Sequence, residues 1–175
     1  NSIRALVDEN AARSRQAITE FSNILRSSIQ VDKVEVTTLE KELSIVKDYL
    51  ALEYIRFADR LEVEYAVDEN TLRNQVPPMM LQTLVENAIK HGIGCKVEGG
   101  LIKIISNLQE DCHELIIENS GTLSVASKEG GFGLSSTRNR LYLLFGESSS
   151  FEIHQLNIQM VQAKVRIPLS KEKIA

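Results

Sequence analysis

Apolar residues spaced three or four positions apart predict a long helix over residues 37–58. Thr37 followed by Glu40 fits a capping box, in which the two side chains satisfy backbone N–H groups at a helix start. The apolar positions would cover one side of this helix, and they are Leu39, Leu43, Val46, Leu50, Tyr54 and Phe57. Such a helix needs a core to pack against.

A shorter pattern of the same period predicts a helix, a turn and a second helix over residues 1–30. Asp8-Glu9-Asn10 is the polar break between the two apolar stretches. A helical hairpin of this length has no core of its own, so it requires a partner. That partner is either a second copy of the hairpin or the rest of this chain.

Residues after 60 alternate between strand-like and helical patterns. Leu61, Val63, Tyr65 and Val67 alternate with polar residues and predict a half-buried strand. Pro77-Pro78 predict the start of a helix, because proline suits a first helical turn. The further predicted elements are that helix from 79 to 91, strands at 101–105 and 115–118, a glycine-bearing loop at 120–133, a helix at 134–145, and strands at 151–156 and 161–167.

This order of elements predicts an α+β fold. Sequential strands joined by short turns favour antiparallel pairing, with the helices collected on one face of the sheet. We therefore expect a two-layer α/β sandwich with a mixed, mainly antiparallel sheet, preceded by a partial helical hairpin. The regular strand–helix alternation of a Rossmann sheet is missing from the pattern.

Composition narrows the class of protein. The chain has 175 residues, of which 43% are hydrophobic and 25% charged, as in ordinary soluble domains. A net charge of −4 argues against nucleic acid as a partner. No apolar run is long enough to predict a membrane span within these residues. The first residue, Asn1, is not Met, so we expect the chain to begin inside a larger protein; Cys95 and Cys112 are expected to be free thiols.

Three segments carry candidate chemistry, and the first is LVENAIKHG at residues 84–92. An asparagine in the middle of a helix is a mediocre helix former, so Asn87 calls for a reason. One reason is a hard oxygen ligand for Mg²⁺, which proteins hold with one or two oxygens while phosphates and water complete the shell. The alternative is a solvated polar face, with Glu86 and Lys90 as an ordinary i,i+4 pair.

The second and third segments are IIENSG at residues 116–121 and GGFGLSSTRNRL at residues 130–141. The first ends a strand in polar residues and a glycine, and it also fits a simple turn. The second places closely spaced glycines before a helix, where the backbone can approach a phosphate and free N–H groups face it. Each segment alone is a weak signal. No GK[ST] follows, so a P-loop is excluded.

Together the three segments resemble the N box and glycine boxes of the GHKL, or Bergerat-fold, ATPases. More narrowly, EKELSIVKDYLALEYIRFADRL, VPPMMLQTLVENAIKHG and GFGLSSTRNRLYLLFG resemble the LytS-type sensor histidine kinases. Residues 1–30 are similar to the dimerisation and histidine-phosphotransfer helices of that family, so residues 31–175 would be the ATP-binding catalytic domain. The resemblance covers nearly the whole chain.

The resemblance implies roles for the polar residues of the first segment. Asn87 would ligate the Mg²⁺ that bridges the ATP phosphates. Glu86 would lie beside the attacking histidine as a base or hydrogen-bond partner. Lys90 and His91 would line the phosphate end of the site. Catalysis would then consist mainly of positioning and charge neutralisation, as in phosphoryl transfer generally.

The resemblance also assigns the two later segments. Asn119 would face the adenine, and Gly121 would allow its close approach. The lid over the phosphates would contain Gly131, Phe132, Gly133 and Leu134. The cofactors implied are ATP and Mg²⁺. The partners implied are a second copy, through the amino-terminal helices, and a response regulator of LytR type; the location implied is the cytoplasmic portion of a bacterial sensor anchored in the inner membrane.

The sequence departs from the family pattern at three points. The adenine contact is usually an aspartate, and here it is Asn119, which offers a neutral acceptor. Gln162-Ala163 stands where the family has Gly-Thr, so the threonine hydroxyl is missing. The phosphoacceptor histidine would lie upstream of Asn1, because His91 belongs to the N box and His113 and His154 are expected to be exposed polar residues.

Three functions follow from these residues. The first is an ATP-dependent protein-histidine kinase that passes phosphate to a response regulator. The second is a pseudokinase or regulatory nucleotide-binding module of the same fold, which Asn119 and Ala163 keep open. The third is a serine kinase of the anti-sigma-factor type, which the amino-terminal hairpin and the long helix fit poorly.

Overall fold

The computed structural model of the protein describes residues 18–19, 36–123 and 132–169, and of Phe132 it describes only the backbone. Ile18 and Thr19 are helical, in agreement with the helix predicted there. The rest of the hairpin predicted over 1–30 and positions 124–131 of the predicted glycine-bearing loop lie outside the described residues.

Within residues 36–123 and 132–169 the structure describes three α-helices, three short 3-10 helices and seven strands. The α-helices are α1 (Leu39–Phe57), α2 (Met80–His91) and α3 (Phe132–Phe145). The strands are β1 (Thr37–Thr38), β2 (Leu61–Val67), β3 (Gln75–Val76), β4 (Gly100–Gln109), β5 (Cys112–Ser120), β6 (Ser150–Asn157) and β7 (Met160–Pro168).

Five of the strands form one mixed sheet in the order β2-β4-β5-β7-β6. β2 and β4 are parallel, and the other neighbouring pairs are antiparallel. The parallel pair follows from the connection, because α2 lies between β2 and β4 and parallel strands need such a crossover. The predicted α+β architecture with a mixed, mainly antiparallel sheet is confirmed.

The helices pack on one face of this sheet and enclose the core. Alternate residues of the central strands point into it, and Ile102, Ile104, Leu115, Ile117, Val165 and Ile167 are at most 2% exposed. The helices supply the opposite wall with Leu39, Val46, Leu50, Leu81, Val85, Ile89 and Leu141. None of the helices described is long and apolar enough to cross a membrane.

The start of α1 differs from the prediction by one residue. Thr38, rather than Thr37, is the N-cap, and its side chain accepts from the backbone N–H of Lys41. Thr37 and Thr38 are instead extended and pair with β3, a two-stranded ribbon that the pattern did not predict. The ribbon brings the start of α1 close to the segment that leads into α2.

The hairpin of β4 and β5 is longer than predicted, and it corrects the expectation for His113. Only Glu110 and Asp111 separate the two strands, so residues 112–114 belong to β5 and not to a polar connection. His113 is therefore on the core face and fully buried, where Nε2 lies 2.8 Å from the hydroxyl oxygen of Ser106. Burial lowers its pKa to about 4, so the ring is neutral. His154 is exposed, as expected.

Candidate functional site

Helix α2 presents its apolar residues to the core and its polar residues to two surface cavities. Met80, Leu81, Leu84, Val85, Ala88 and Ile89 are buried. The polar residues of its second half therefore remain on the outer sides of the helix. Gly92 ends it, and its backbone N–H returns to the carbonyl oxygen of Ala88 at 3.0 Å.

Asn87 lies half-buried in the first of these cavities, a pocket between α2, the end of β5, the start of α3 and strands β6 and β7. Its Nδ2 donates to the carbonyl oxygen of Thr83 at 2.7 Å. Because the amide nitrogen makes this bond, the amide oxygen is the atom left to bind a ligand. His91, one turn later and exposed, lines the same pocket.

Asn119, near the end of β5, reaches this pocket from the sheet. It is 8% exposed, and its Nδ2 donates to the backbone carbonyl oxygen of Ser120 at 3.1 Å. That bond leaves the amide oxygen as the acceptor available to a ligand. Asn87 and Asn119, which are 32 positions apart in the sequence, therefore meet in one pocket.

Two glycines allow the end of α2 to approach the end of β5. A Cβ at Gly92 would clash with the backbone oxygen of Ser120 and with Nδ2 of Asn119. A Cβ at Gly121 would lie 3.2 Å from Nδ2 of Asn119 and from Cα of Gly92. A side chain at either position would push these segments apart, which is a steric reason for glycine at both positions.

Apolar side chains from the sheet and from α3 form the walls of the pocket: Ile117, Leu134, Ile153, Val161 and Ala163. Ala163 is half-buried and pairs in register with Ile117 and Ile153. The position at which the family has a threonine thus does line the pocket, and here it carries no hydroxyl. Gln162 is engaged elsewhere, since its Nε2 donates to Oε1 of Glu118 at 2.7 Å.

Glu86 and Lys90 lie in a different cavity from Asn87. They line a groove between α2 and the second half of α1, together with Tyr49, Arg56 and Phe57. Oε1 of Glu86 accepts from Nε2 of Gln82 at 2.6 Å. The expected site residues of α2 therefore separate into one pair, Asn87 and His91, that faces the pocket and another, Glu86 and Lys90, that faces the groove.

The glycine box is only partly described. Gly131 lies outside the described residues, and of Phe132 only the backbone is given. Gly133 is exposed in the first turn of α3, where its carbonyl oxygen accepts from Oγ1 of Thr137 at 3.0 Å. Leu134 follows, 8% exposed, and lines the pocket beside Asn87 and Asn119.

Comparison with known proteins finds similar sensor kinases. A family model described as histidine kinase matches residues 1–61. The sensor protein LytS of Staphylococcus saprophyticus is 33% identical over 99% of this chain and 32% of its own length. The sensor histidine kinase/phosphatase LytS of Staphylococcus aureus is 33% identical over 87% of this chain and 28% of its own length. Nearly the whole chain is therefore similar to the LytS-type sensor histidine kinases.

Solved structures of histidine kinase domains agree in fold. The catalytic domain of histidine kinase ThkA superimposes with a TM-score of 0.63 at 22% identity, over 79% of this chain and 97% of that one. The histidine kinase domain of a blue-light activated kinase from Erythrobacter litoralis gives a TM-score of 0.61 at 14% identity, over 98% and 84%. The chain spans about a third of the length of the LytS relatives it matches.

Sequence reasoning missed one residue that helps to build this site. Glu42 is 1% exposed, and each of its carboxylate oxygens accepts a backbone N–H at the start of α2, from Met79 at 2.8 Å and from Leu81 at 3.0 Å. The sequence did indicate its burial, because helical spacing places this acidic residue, between Leu39 and Leu43, on the apolar side of α1. Glu42 was not singled out there.

Proposed function

We propose that this chain is the ATP-binding catalytic part of a two-component sensor histidine kinase. In this proposal the γ-phosphoryl group of ATP passes to a histidine upstream of these residues in a longer protein, and from there to a response regulator. The observation that carries the proposal is the convergence of Asn87 and Asn119 on one apolar-walled pocket beside the start of α3. Each of the two amides presents its oxygen rather than its nitrogen to a ligand.

The pocket suits a nucleoside at its sheet side. The free oxygen of Asn119 would accept a hydrogen bond from the amino group of adenine, and Gly121 would allow the close approach of the ring. Ile153, Val161 and Leu134 would contact the faces and edge of the base. Apolar walls with few polar groups of fixed orientation are what small-ligand sites usually have.

The phosphates would then extend toward Asn87 and His91 on α2. The backbone around Gly131 and Gly133, together with Phe132 and Leu134, would form the lid over them. Such a lid needs glycine where the chain approaches a phosphate closely. Catalysis in this arrangement is positioning of the triphosphate rather than covalent chemistry by the protein.

The residues present fit Mg²⁺ held mainly by the nucleotide. The described residues contain no cluster of three or more acidic, histidine or cysteine side chains that could cage a metal. The single amide oxygen of Asn87 agrees with an ion that takes one protein oxygen and completes its shell with phosphates and water. Such an ion would neutralise charge on the phosphates during transfer.

Glu86 and Lys90 would act on the acceptor side of the reaction. Their groove lies on the other side of α2, next to α1, where Tyr49 and Arg56 also lie. A histidine ring entering along this groove would meet the Glu86 carboxylate, which could accept its N–H proton and orient the attacking nitrogen. Lys90 would line the phosphate end of the site from this side of α2.

The longer protein supplies the remaining parts of the proposal. Residues 1–30 would belong to the dimerisation and phosphotransfer helices, and residues 31–175 to the catalytic domain. The protein would act as a homodimer and pass phosphate to a regulator of LytR type. These residues would lie in the cytoplasm, below an anchor in the inner membrane. A related kinase, ThkA, has been solved in complex with its response regulator TrrA.

A second candidate is a nucleotide-binding module that does not transfer phosphate. Ala163 favours it, because this position lines the pocket and supplies no hydroxyl to reinforce the contact of Asn119. The Glu86–Asn87 pair and the glycine box favour the kinase, since a binding module has no need of a base beside the groove.

Radiolabelled ATP added to the longer protein, with its upstream histidine, separates the two candidates. The kinase proposal predicts an acid-labile label on that histidine which is lost in Glu86→Gln and Asn87→Ala. Asn139→Ala serves as the control, because Asn139 is an exposed asparagine of α3 outside the pocket. An unlabelled protein that still binds Mg-ATP would contradict the kinase and support the binding module.

A further inference from the structure

The turn that precedes α2 is held from two sides by charged side chains of other elements. Glu42 of α1 accepts the backbone N–H groups of Met79 and Leu81. Nη1 of Arg140, on α3, donates to the carbonyl oxygen of Pro78 at 2.8 Å. The long helix and the helix after the glycine box thus both bind the same turn.

The turn needs outside partners because its own residues cannot cap α2. Pro77 and Pro78 have no N–H, and Met79, in the N-cap position, has left-handed backbone angles (φ 62°) and makes no side-chain cap. A non-glycine residue in this region is uncommon and requires compensation. The buried carboxylate of Glu42 compensates by binding two N–H groups that the helix leaves without internal partners.

A line of hydrogen bonds runs from this turn to Asn87. The carbonyl oxygen of Met79 accepts both the backbone N–H of Thr83, at 3.0 Å, and its hydroxyl, at 2.7 Å. The carbonyl oxygen of Thr83 in turn accepts Nδ2 of Asn87. The side chain that presents the proposed metal ligand is therefore fixed by a chain of contacts that starts at Glu42.

Helix α3, which follows the glycine box, also contacts Thr83, a member of this series of hydrogen bonds. A Cβ at Gly133 would lie 3.2 Å from Cγ2 of Thr83, so the first turn of α3 packs directly on that residue. Seven residues later Arg140 reaches back to Pro78. α3 is therefore anchored to α2 both beside Asn87 and at the helix start.

We propose that Glu42 and Arg140 are positioning residues, which together clamp the Pro78–Met79 turn and so set the place of Asn87 relative to the lid helix. This inference rests on the proposed nucleotide site and deepens it. Neither residue would touch the nucleotide. Their effect would fall on the phosphate and metal end of the site, because the adenine contact of Asn119 is built on β5 and does not depend on the turn.

The test compares nucleotide affinities of the full 175-residue protein and its variants. Glu42→Gln keeps the shape of the side chain but turns an NH₂ group toward one of the two N–H donors. Glu40→Gln is its control, an exposed glutamate of the same helix with the same change of charge. Burial raises the pKa of Glu42 to about 7, so the titrations are made at about pH 8, where this carboxyl group is ionised. They give the dissociation constants for Mg-ATP and for ADP in EDTA.

We expect Glu42→Gln to weaken Mg-ATP binding about fivefold or more, and metal-free ADP less than about twofold. Glu40→Gln should match the wild type for both ligands. Arg140→Met should repeat the pattern, and the double variant should be no weaker than the poorer single one, since both residues act on one turn. If Glu42→Gln does not fold, Arg140→Met tests the inference on its own.

Three results would overturn the inference. A folded Glu42→Gln or Arg140→Met protein that binds Mg-ATP like the wild type would show that contacts with the turn do not position Asn87. Equal weakening of Mg-ATP and metal-free ADP would show a merely structural role. A wild-type protein that binds neither ligand would remove the proposed function itself, and the inference with it.

Discussion

The amide nitrogen of Asn87 donates to the carbonyl oxygen of Thr83, one turn earlier in α2, at 2.7 Å. This bond engages the amide nitrogen, so the oxygen of Asn87 is the atom left to bind a ligand in the pocket that the residue lines. Asn119 is oriented in the same way by its bond to Ser120. In both side chains the amide nitrogen is engaged, so the amide oxygen is the acceptor available to a ligand.

The orientation of Asn119 predicts a preference for adenine over guanine. Adenine offers an amino group to the Asn119 oxygen, whereas guanine would place its carbonyl oxygen there and leave both groups unpaired. We expect ATP to bind at least about tenfold more tightly than GTP. Asn119→Ala should lose about fivefold in ATP affinity, in keeping with a neutral hydrogen bond, and reduce the preference. Competition titrations measure both; an unchanged ratio in Asn119→Ala would argue against this contact.

The missing hydroxyl at Ala163 predicts a variant that gains affinity. Ala163→Thr places a hydroxyl in the pocket on a strand, where threonine is well tolerated. One added neutral hydrogen bond is worth about 1 kcal/mol, so ATP should bind about fivefold more tightly. Ala163→Val is the matched control, because it adds the same volume without the hydroxyl, and it should not gain affinity. Equal gains in both would attribute the effect to packing.

Two buried titrating groups predict opposite pH dependences of stability. Burial raises the pKa of Glu42 to about 7, although its backbone donors and Arg140 lower it, and burial lowers the pKa of His113 to about 4. The stability from Glu42 is present below its unfolded pKa and is lost as pH rises through 7. The stability from His113 is present above its unfolded pKa and is lost as pH falls toward 4.

Between about pH 5 and 6.5 the contributions of Glu42 and His113 to stability therefore oppose each other. The free energy of unfolding of the wild type should change little over this interval. Glu42→Gln leaves only the histidine, so its free energy of unfolding should rise with pH by up to about 2 kcal/mol over this interval. His113→Gln leaves only the glutamate and should fall by a similar amount. Urea unfolding at several pH values measures both slopes. Parallel curves for the two variants would contradict the assignment.

The fold was predictable from the sequence because its signals are local. Pro77-Pro78 and the helix predicted after them at 79–91 indicated α2 within one residue. The alternation from Leu61 to Val67 indicated β2. The β1–β3 ribbon was missed because two-residue strands carry no periodicity, and the N-cap moved to Thr38 because Thr37 pairs with Val76.

The site was predictable only in part. The motifs marked Asn87 and Asn119, whose meeting in one pocket agrees with the resemblance. Periodicity could not show that Glu86 and Lys90 face a separate groove, because that depends on where α1 packs. His113 was misjudged since its burial follows from the length of a hairpin, and Glu42 was overlooked since its partners lie 37 and 39 positions away.

The oxygen of Asn87 is the proposed metal ligand, and calorimetry of ATP binding is the sharpest test of this role. Titrations of the wild type, Asn87→Ala and the control Asn139→Ala are compared with Mg²⁺ and with EDTA. We predict that Mg²⁺ strengthens ATP binding in the wild type and in Asn139→Ala, and that Asn87→Ala loses most of this gain while its metal-free binding is unchanged. The same gain from Mg²⁺ in Asn87→Ala as in the wild type would contradict the account.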